Sequence, residues 1–365
     1  MGLFLVLVAC GSNENIPEAE ETESAVDTLS FSLVDTIGVL VGDTLREFGS
    51  IADIDISHDG NIMVLDAMKG KITVFSPLDE FIEIIGRHGS APGEFQYPTG
   101  FAELTDGTII VADFAGASLR FFDENHTFSH SLDGFYPIPP LFPSPGPDGT
   151  YYAGSMTFRA NEDSPIPEGE SFLGLYGTET EPEIVLFSHP LEITIGADGD
   201  VNVDNTMAYW DTDSEGNIYW AVSDDSTYVV IGMNPLGETI LEISKEWERV
   251  EKTEEELEQE IYSEGLSRTD EGESTVNRNQ ITDPYPYHLA ISGLYLDTED
   301  RIWVQQGYTS TPTFEVYSTN GELLHIVTIP ALEGVKQLGF CFKGGSLAFD
   351  IAPEDYPKIY LLELE

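Results

Sequence analysis

Seven histidines, at 58, 88, 126, 130, 189, 288 and 325, are the first place to look for metal or proton-transfer chemistry. None lies in an HExxH motif or at the short paired spacing that brings two imidazoles to one metal. His126 and His130 are four apart, but within a predicted hairpin. There is no Gly-x-Ser-x-Gly elbow, no credible Ser/His/Asp order, no P-loop and no EF-hand loop. Gly86-x-x-Gly89-x-x-x-Gly93 reads as a turn rather than a dinucleotide fingerprint. What remains is a mixture of aromatic, Arg and His side chains: Arg87, His88, Tyr97, Tyr136, Arg159, Tyr209, Trp210, Tyr285, Tyr287, His288 and Tyr308. Such a mixture suits a peptide, a sugar or a small organic ligand. Taken singly, each of these side chains is more often a packing residue. The densest cluster is Asp283-Pro-Tyr-Pro-Tyr-His288.

The chain that must position them has 365 residues, 41% apolar and 11% aromatic, enough for one large all-β domain or two ordinary ones. Its 34 Gly and 21 Pro, spread along the sequence, favour tight turns over long helices. Lys and Arg total 15 against 66 Asp and Glu, a net charge of −51. Such a surface repels polyanions, so nucleic acid is excluded as a partner. It is a solvated acidic exterior suited to high salt, or one that collects cations such as Ca²⁺. Cys10 and Cys341 provide no disulfide framework, and Cys341, within Leu338-Gly-Phe-Cys-Phe342, reads as a small core residue.

Residues 3–9 are apolar, too short a run to span a bilayer, and lead to Cys10. Leu7-Val8-Ala9-Cys10 resembles the bacterial lipobox, whose Cys becomes a lipidated N-terminus. That resemblance implies a signal segment over 1–10 and a membrane-anchored protein of the bacterial cell envelope. The basic residues usual at the start of such a segment are missing. Residues 11–28 are acidic and poor in aromatics, and read as a disordered tether.

An internal repeat sets the architecture from 29 to 365. Six stretches, at 54–66, 101–113, 142–155, 210–223, 294–306 and 339–350, each place a tight two-residue turn between two apolar strands. The turn pairs are Asp59-Gly60, Asp106-Gly107, Asp148-Gly149, Glu215-Gly216, Glu299-Asp300 and Gly344-Gly345. Glu299-Asp300 departs from the pattern because it lacks a glycine. Most units add a third strand, a second turn and a fourth strand. The sixth lacks its fourth strand, and Phe31–Gly38 is an unassigned apolar strand ahead of the first unit. Closing the last unit with this N-terminal strand gives an all-β, six-bladed β-propeller with one helical loop insertion at 245–285.

Gly86-RHGSAPGEFQYPT-Gly100, followed by the strand ending at Asp113, resembles the NHL repeat and related six-bladed propeller lipoproteins of bacteria. The resemblance implies the fold; the same ring carries lyases, lactonases and pure binding proteins. It implies two metal possibilities: zinc held by His88 and His288 in the manner of lyase-type propellers, or Ca²⁺ at the channel mouth with Asp53 and Asp211. The residues themselves call for no cofactor. Phe95 and Tyr97 are expected to pack between blades, and Asp66 and Asp113 to tie down the turn between second and third strands.

Alternating strand direction sorts the loops. The first and second hairpin turns share one face; the second-to-third-strand turns and the blade connections share the other. Long insertions at 156–171, 189–207 and 245–288 all fall on the second face, the usual place for binding on a rigid scaffold. Within the last, Thr253 with Glu256 forms a capping box, and Val250, Leu257 and Ile261 have helical spacing. The expectation is a binding or interaction module for an envelope protein, peptide or glycan. A metal-dependent lactonase or lyase is the alternative.

Overall fold

The computed structural model describes residues 26–135, 137–160, 166–195, 201–204, 208–222, 224–258, 266–268, 274–276, 286–335, 337–351 and 355–365. Strand β1 (Asp27–Ile37) precedes blade one, which is β2 (Ile51–Ile56), β3 (Ile62–Asp66), β4 (Lys71–Phe75) and β5 (Phe81–Ile85). Blade two is β6 (Pro98–Glu103), β7 (Ile109–Asp113), β8 (Ser118–Phe122) and β9 (Phe128–Asp133). Blade three is β10 (Leu141–Pro145), β11 (Tyr151–Arg159), β12 (Glu168–Tyr176), β13 (Ile184–Ile195) and β14 (Val201–Asp204). Blade four is β15 (Ala208–Thr212), β16 (Ile218–Val222), β17 (Tyr228–Met233) and β18 (Thr239–Lys245). A small pair, β19 (Leu266–Arg268) and β20 (Ser274–Val276), follows. Blade five is β21 (Ile291–Leu296), β22 (Ile302–Gln306), β23 (Thr313–Tyr317) and β24 (Leu323–Thr328). Blade six is β25 (Leu338–Cys341), β26 (Ser346–Asp350) and β27 (Ile359–Leu364), with β1 hydrogen-bonded outside β27.

The middle strands read Ile62-Met-Val-Leu-Asp66 and Ile109-Ile-Val-Ala-Asp113, and every position in both is buried. They are apolar on both faces because each blade is covered by a neighbour on either side. The core lies between blades: Met63, Leu65, Ile72 and Val74 of blade one meet Phe101, Ile109, Val111 and Phe122 of blade two. The first strand of each blade touches the first strand of the next, in the closed order β2, β6, β10, β15, β21, β25 and back to β2. These strands line the central channel.

The first hairpin turns of blades one, two, four and five are three-residue loops rather than the expected two. Ser57 N–H donates to the Asn61 carbonyl, Gly60 N–H donates to that of Ser57, and only Gly60 is left-handed, at φ 80°. This is a type I turn with a following left-handed residue. In blade five Asp300 takes that place at φ 59°. Its carboxylate accepts from the Ser214 N–H at 2.8 Å and hydroxyl at 2.7 Å, tying blade five to blade four. The exception to the glycine pattern is thus an inter-blade contact.

Asp66 and Asp113 do what their equivalent positions suggested, and more. Asp66 accepts from the Lys69 N–H in the turn after β3 and also from those of Gly49 and Ser50 in the incoming segment. Asp113 does the same with Gly116, Gln96 and Tyr97. Phe95 is fully buried as expected, whereas Tyr97 is 48% exposed, because its backbone, not its ring, is what the carboxylate holds.

Ring closure uses the N-terminal strand. Phe31 pairs antiparallel with Leu364, and the register continues to Ile37 opposite Ile359. Phe31 is buried among Trp303, Phe314, Phe340 and Phe342. The strand starts earlier than Phe31, inside the stretch read as tether: Asp27 to Ser30 pair parallel with His325 to Thr328 of β24. One strand therefore joins blades five and six into a single eight-stranded sheet.

Two insertions differ from plain loops. Much of 156–171 is strand, since β11 and β12 run on as a hairpin with Arg159 opposite Glu168. In the 189–207 connection β13 continues to Ile195 and β14 pairs with it, giving blade three a fifth strand. In the third insertion a helical turn occupies 254–258. Its capping box is formed: Thr253 Oγ1 accepts from the Glu256 N–H, and Glu256 Oε2 accepts from the Thr253 N–H at 2.7 Å.

Candidate functional site

The expected residues of the long-connection face occupy several distinct neighbourhoods. Arg87 and His88 lie in the connection from blade one to blade two. Arg87 is exposed and pairs with Glu94 at 2.5 Å, while His88 bridges to the Phe95 backbone. The hydrogen bond from the Ala91 N–H, and then Arg87, hold Glu94 below its ordinary carboxyl value. Arg159 lines a cleft of about 510 Å³ with Thr157, Ile166, Glu170, Pro190 and Leu191, beside the projecting hairpin of blade three. Trp210 faces blade three, its indole N–H donating to the Phe142 carbonyl at 3.2 Å. Gly154 leaves the space its ring fills, since a Cβ there would stand 2.6 Å from the Trp210 ring. Tyr209 packs on the opposite side, against the core shared by blades four and five. Tyr285, Tyr136 and Cys10 lie outside the described residues.

Tyr287 and His288 are brought together with the connection after β18. Tyr287 bridges to Glu251, and the Arg249 guanidinium stands 5.2 Å over its ring. His288 Nε2 is 3.5 Å from Glu256 Oε1, on the helical turn, and its N–H donates to the Val250 carbonyl. Trp247 lies 5.3 Å from Tyr308, ring to ring, and donates its indole N–H to the Asp225 carbonyl. His88 and His288 thus have different neighbours, and the pair does not fit a shared zinc. Among the described residues no group of three or more His, Cys, Asp or Glu could hold a metal ion.

Beneath this connection lies a buried carboxylate, Glu315 on β23. Tyr228 Oη donates to it at 2.5 Å, Lys245 Nζ at 2.7 Å, Tyr317 Oη at 2.8 Å and Gln306 Nε2 at 3.0 Å. Burial works against its charge, but Lys245 and then the two tyrosines hold its carboxyl below the usual value. The Lys245 ammonium also sits 3.8 Å over the Tyr228 ring.

A second cluster lies in the channel, toward the short-turn face. Asp53 and Asp55 come from β2, Asp211 from β15, Tyr295 from β21 and Cys341 from β25; Lys343 follows β25. Asp53 Oδ2 accepts from the Phe101 N–H at 3.1 Å, and Asp211 Oδ2 from that of Leu296 at 2.8 Å, each on the next blade's inner strand. Lys343 Nζ is 3.0 Å from Asp211 Oδ1, and Cys341 Sγ is 3.8 Å from Asp55 Oδ1. Burial pushes the Asp53 carboxyl up to about 7; the Phe101 N–H opposes this and neighbouring Asp55 adds to it. Burial also raises Asp55, with Lys343 opposing. The Lys343 ammonium is held above its ordinary value: burial disfavours its charge, but Asp211 and Asp55 outweigh that. At neutral pH the Asp53 carboxyl can hold or release a proton, while Lys343 supplies positive charge. The sequence showed alternate aspartates in Asp53-Ile-Asp55, an unusual pattern for an inner strand. It offered nothing to bring Lys343, 132 positions from Asp211, to the same point.

A family model described as a 6-bladed beta-propeller, DUF5128, matches residues 30–133. No curated protein matches the sequence. Among solved structures, a Bacteroides fragilis protein named as exported is similar with a TM-score of 0.54 and 13% identity, over 93% of this chain and 99% of that one. A DUF4221 family member from Bacteroides vulgatus has a TM-score of 0.53 and 9% identity, over 92% and 98%. The chain is an all-β, six-bladed propeller of four-stranded blades whose N-terminal strand joins the last sheet.

Proposed function

We propose that the chain is an exported, lipid-anchored propeller that binds a protein, peptide or glycan of the cell envelope through its long-connection face. The observation that carries this reading is the one-sided elaboration of the ring. The β11–β12 hairpin, the β13–β14 extension and the connection bearing Tyr287 and His288 all rise on the same face. The cleft beside the hairpin, about 510 Å³, is within the size range of small-ligand sites. Export is supported by the Leu7-Val8-Ala9-Cys10 sequence and by the description of the Bacteroides fragilis relative. Capture of immobilised peptidoglycan fragments, polysaccharides and envelope peptides by the full chain tests the site. The reading expects capture that falls at least tenfold when 157–170 is replaced by a short turn or when Arg159 and His288 both become Ala. Undiminished capture rejects this face. Loss of metabolic palmitate labelling in Cys10→Ser tests the anchor separately.

A metal-dependent lactonase or lyase is the second reading. The convergence of Asp53, Asp55 and Asp211 in the channel favours it, and the Lys343 ammonium among them opposes it. Lactone hydrolysis that depends on added Ca²⁺ or Zn²⁺ would select it.

A further inference from the structure

The resemblance to lactonase-type propellers implied Asp53 and Asp211 as one possible place for a divalent cation, and the geometry disagrees. Asp53 and Asp55 belong to blade one, Asp211 to blade four and Lys343 to blade six. Blades four and six are not neighbours in the ring, yet Lys343 Nζ reaches Asp211 Oδ1 at 3.0 Å. Every other inter-blade side-chain bond described above joins adjacent blades. The ammonium therefore lies across the ring, close enough for Asp53, Asp55 and Asp211 all to feel its charge. Two of the acids spend their other oxygen on backbone: Asp53 on Phe101 and Asp211 on Leu296. A calcium ion needs six to eight oxygens at about 2.3–2.6 Å. It would have to evict an ammonium tethered by the chain, paired with Asp211 and within the field of Asp55. The residues present do not fit the metal.

We infer that Lys343 is the resident cation of the ring: its tethered ammonium takes the place of a divalent ion and braces blade six to blade four across the channel. The backbone tether makes this cation intramolecular, so it cannot be removed by chelation or competed away by dilute metal. The role is independent of which ligand the opposite face binds.

Thermal unfolding of the full chain, in EDTA and in 5 mM CaCl₂, tests the inference. The wild-type midpoint should be the same in both to within about 1 °C. Lys343→Met should melt at least ~3 °C lower in EDTA and recover part of the loss in calcium, because the freed carboxylates now lack a counter-charge. Lys343→Arg, which keeps the charge, should lose less than Lys343→Met. A wild-type midpoint that rises with calcium, or Lys343→Met as stable as wild type in EDTA, overturns the inference. Should Lys343→Met fail to fold, calcorimetric titration of the wild type with Ca²⁺ decides. Absence of a stoichiometric site upholds the inference. A stoichiometric site that Asp211→Asn removes refutes it.

Discussion

Lys245→Met measures what holds blade four to blade five. The methionine keeps the apolar stem and removes the ammonium from Glu315 and from the Tyr228 ring. Removing one partner of a fully buried ion pair costs about 3–5 kcal/mol. Two observations lower that figure. The Lys245 side chain is 36% exposed, and Glu315 keeps the Tyr228, Tyr317 and Gln306 donors. A charge-assisted hydrogen bond contributes about 1.5–3 kcal/mol and a cation–π contact about 0.5–1 kcal/mol. After discounting for exposure the expected loss is about 2 kcal/mol. With an unfolding entropy of about 2.1 cal/mol/K per residue, a chain this size should melt about 3 °C lower. The pH dependence carries the sign. The Glu315 carboxyl is depressed in the folded state, so its stabilisation is present above the ordinary carboxyl pKa and disappears as pH falls through the lower native value. The gap between wild type and variant, read by calorimetry from pH 7 down to 3, should therefore narrow below about pH 4. An equal gap at pH 7 and pH 3, or no gap at pH 7, would refute the assignment of Lys245 to Glu315.

Gly86→Ala should cost about 3 kcal/mol, since its φ is +72° and a Cβ would meet the buried Phe95 ring at 2.3 Å; a denaturant midpoint matching wild type would show that Phe95 can yield. Phe31→Ala should lose about 3–4 kcal/mol and expose the closing sheet, seen as faster proteolysis between β27 and the C-terminal end of β24; unchanged proteolysis would mean the strand is dispensable. Asp53→Asn keeps the acceptor for the Phe101 N–H. Because the Asp53 carboxyl is raised to about 7, the wild type loses the benefit of its protonated form as pH rises through that value. The variant's relative stability should therefore grow between pH 4 and pH 8, and a flat difference across that range would remove Asp53 from the half-buried channel cluster.

The repeat was legible because its signals are local. An apolar strand, a turn rich in Asp and Gly and a second apolar strand define each blade within a dozen residues, and Thr253 with Glu256 announces a helix start in four. Asp66 and Asp113 could be given their turn-tying role because the same residue stood at the same place in two repeats. The site was less legible because it depends on what the ring brings together. Asp53 and Asp211 were picked out as acids, but only closure of the ring delivers Lys343 to them and changes the reading from metal ligand to ion-pair partner. Glu315, Tyr228 and Lys245 each look ordinary in their own strands, and no spacing links them. The Glu299-Asp300 anomaly was visible, but its cause is Ser214, in the preceding blade. Trp247 stands outside the helical spacing of Val250, Leu257 and Ile261, and only the fold brings its indole to Tyr228 and Tyr308.

The dual pairing of β1 has a consequence for biosynthesis. Ser30 and Glu365, which meet at the seam, are 335 positions apart. A strand made this early must wait for β24 before it has any partner and for β27 before it has both. During that interval Phe31 and the edges of two sheets stand open, and contacts of such long range form slowly. Until β27 is in place a chain of this design is an unsealed barrel stave, so its maturation should depend on holdase assistance and be sensitive to loss of β27 far more than to loss of a surface loop.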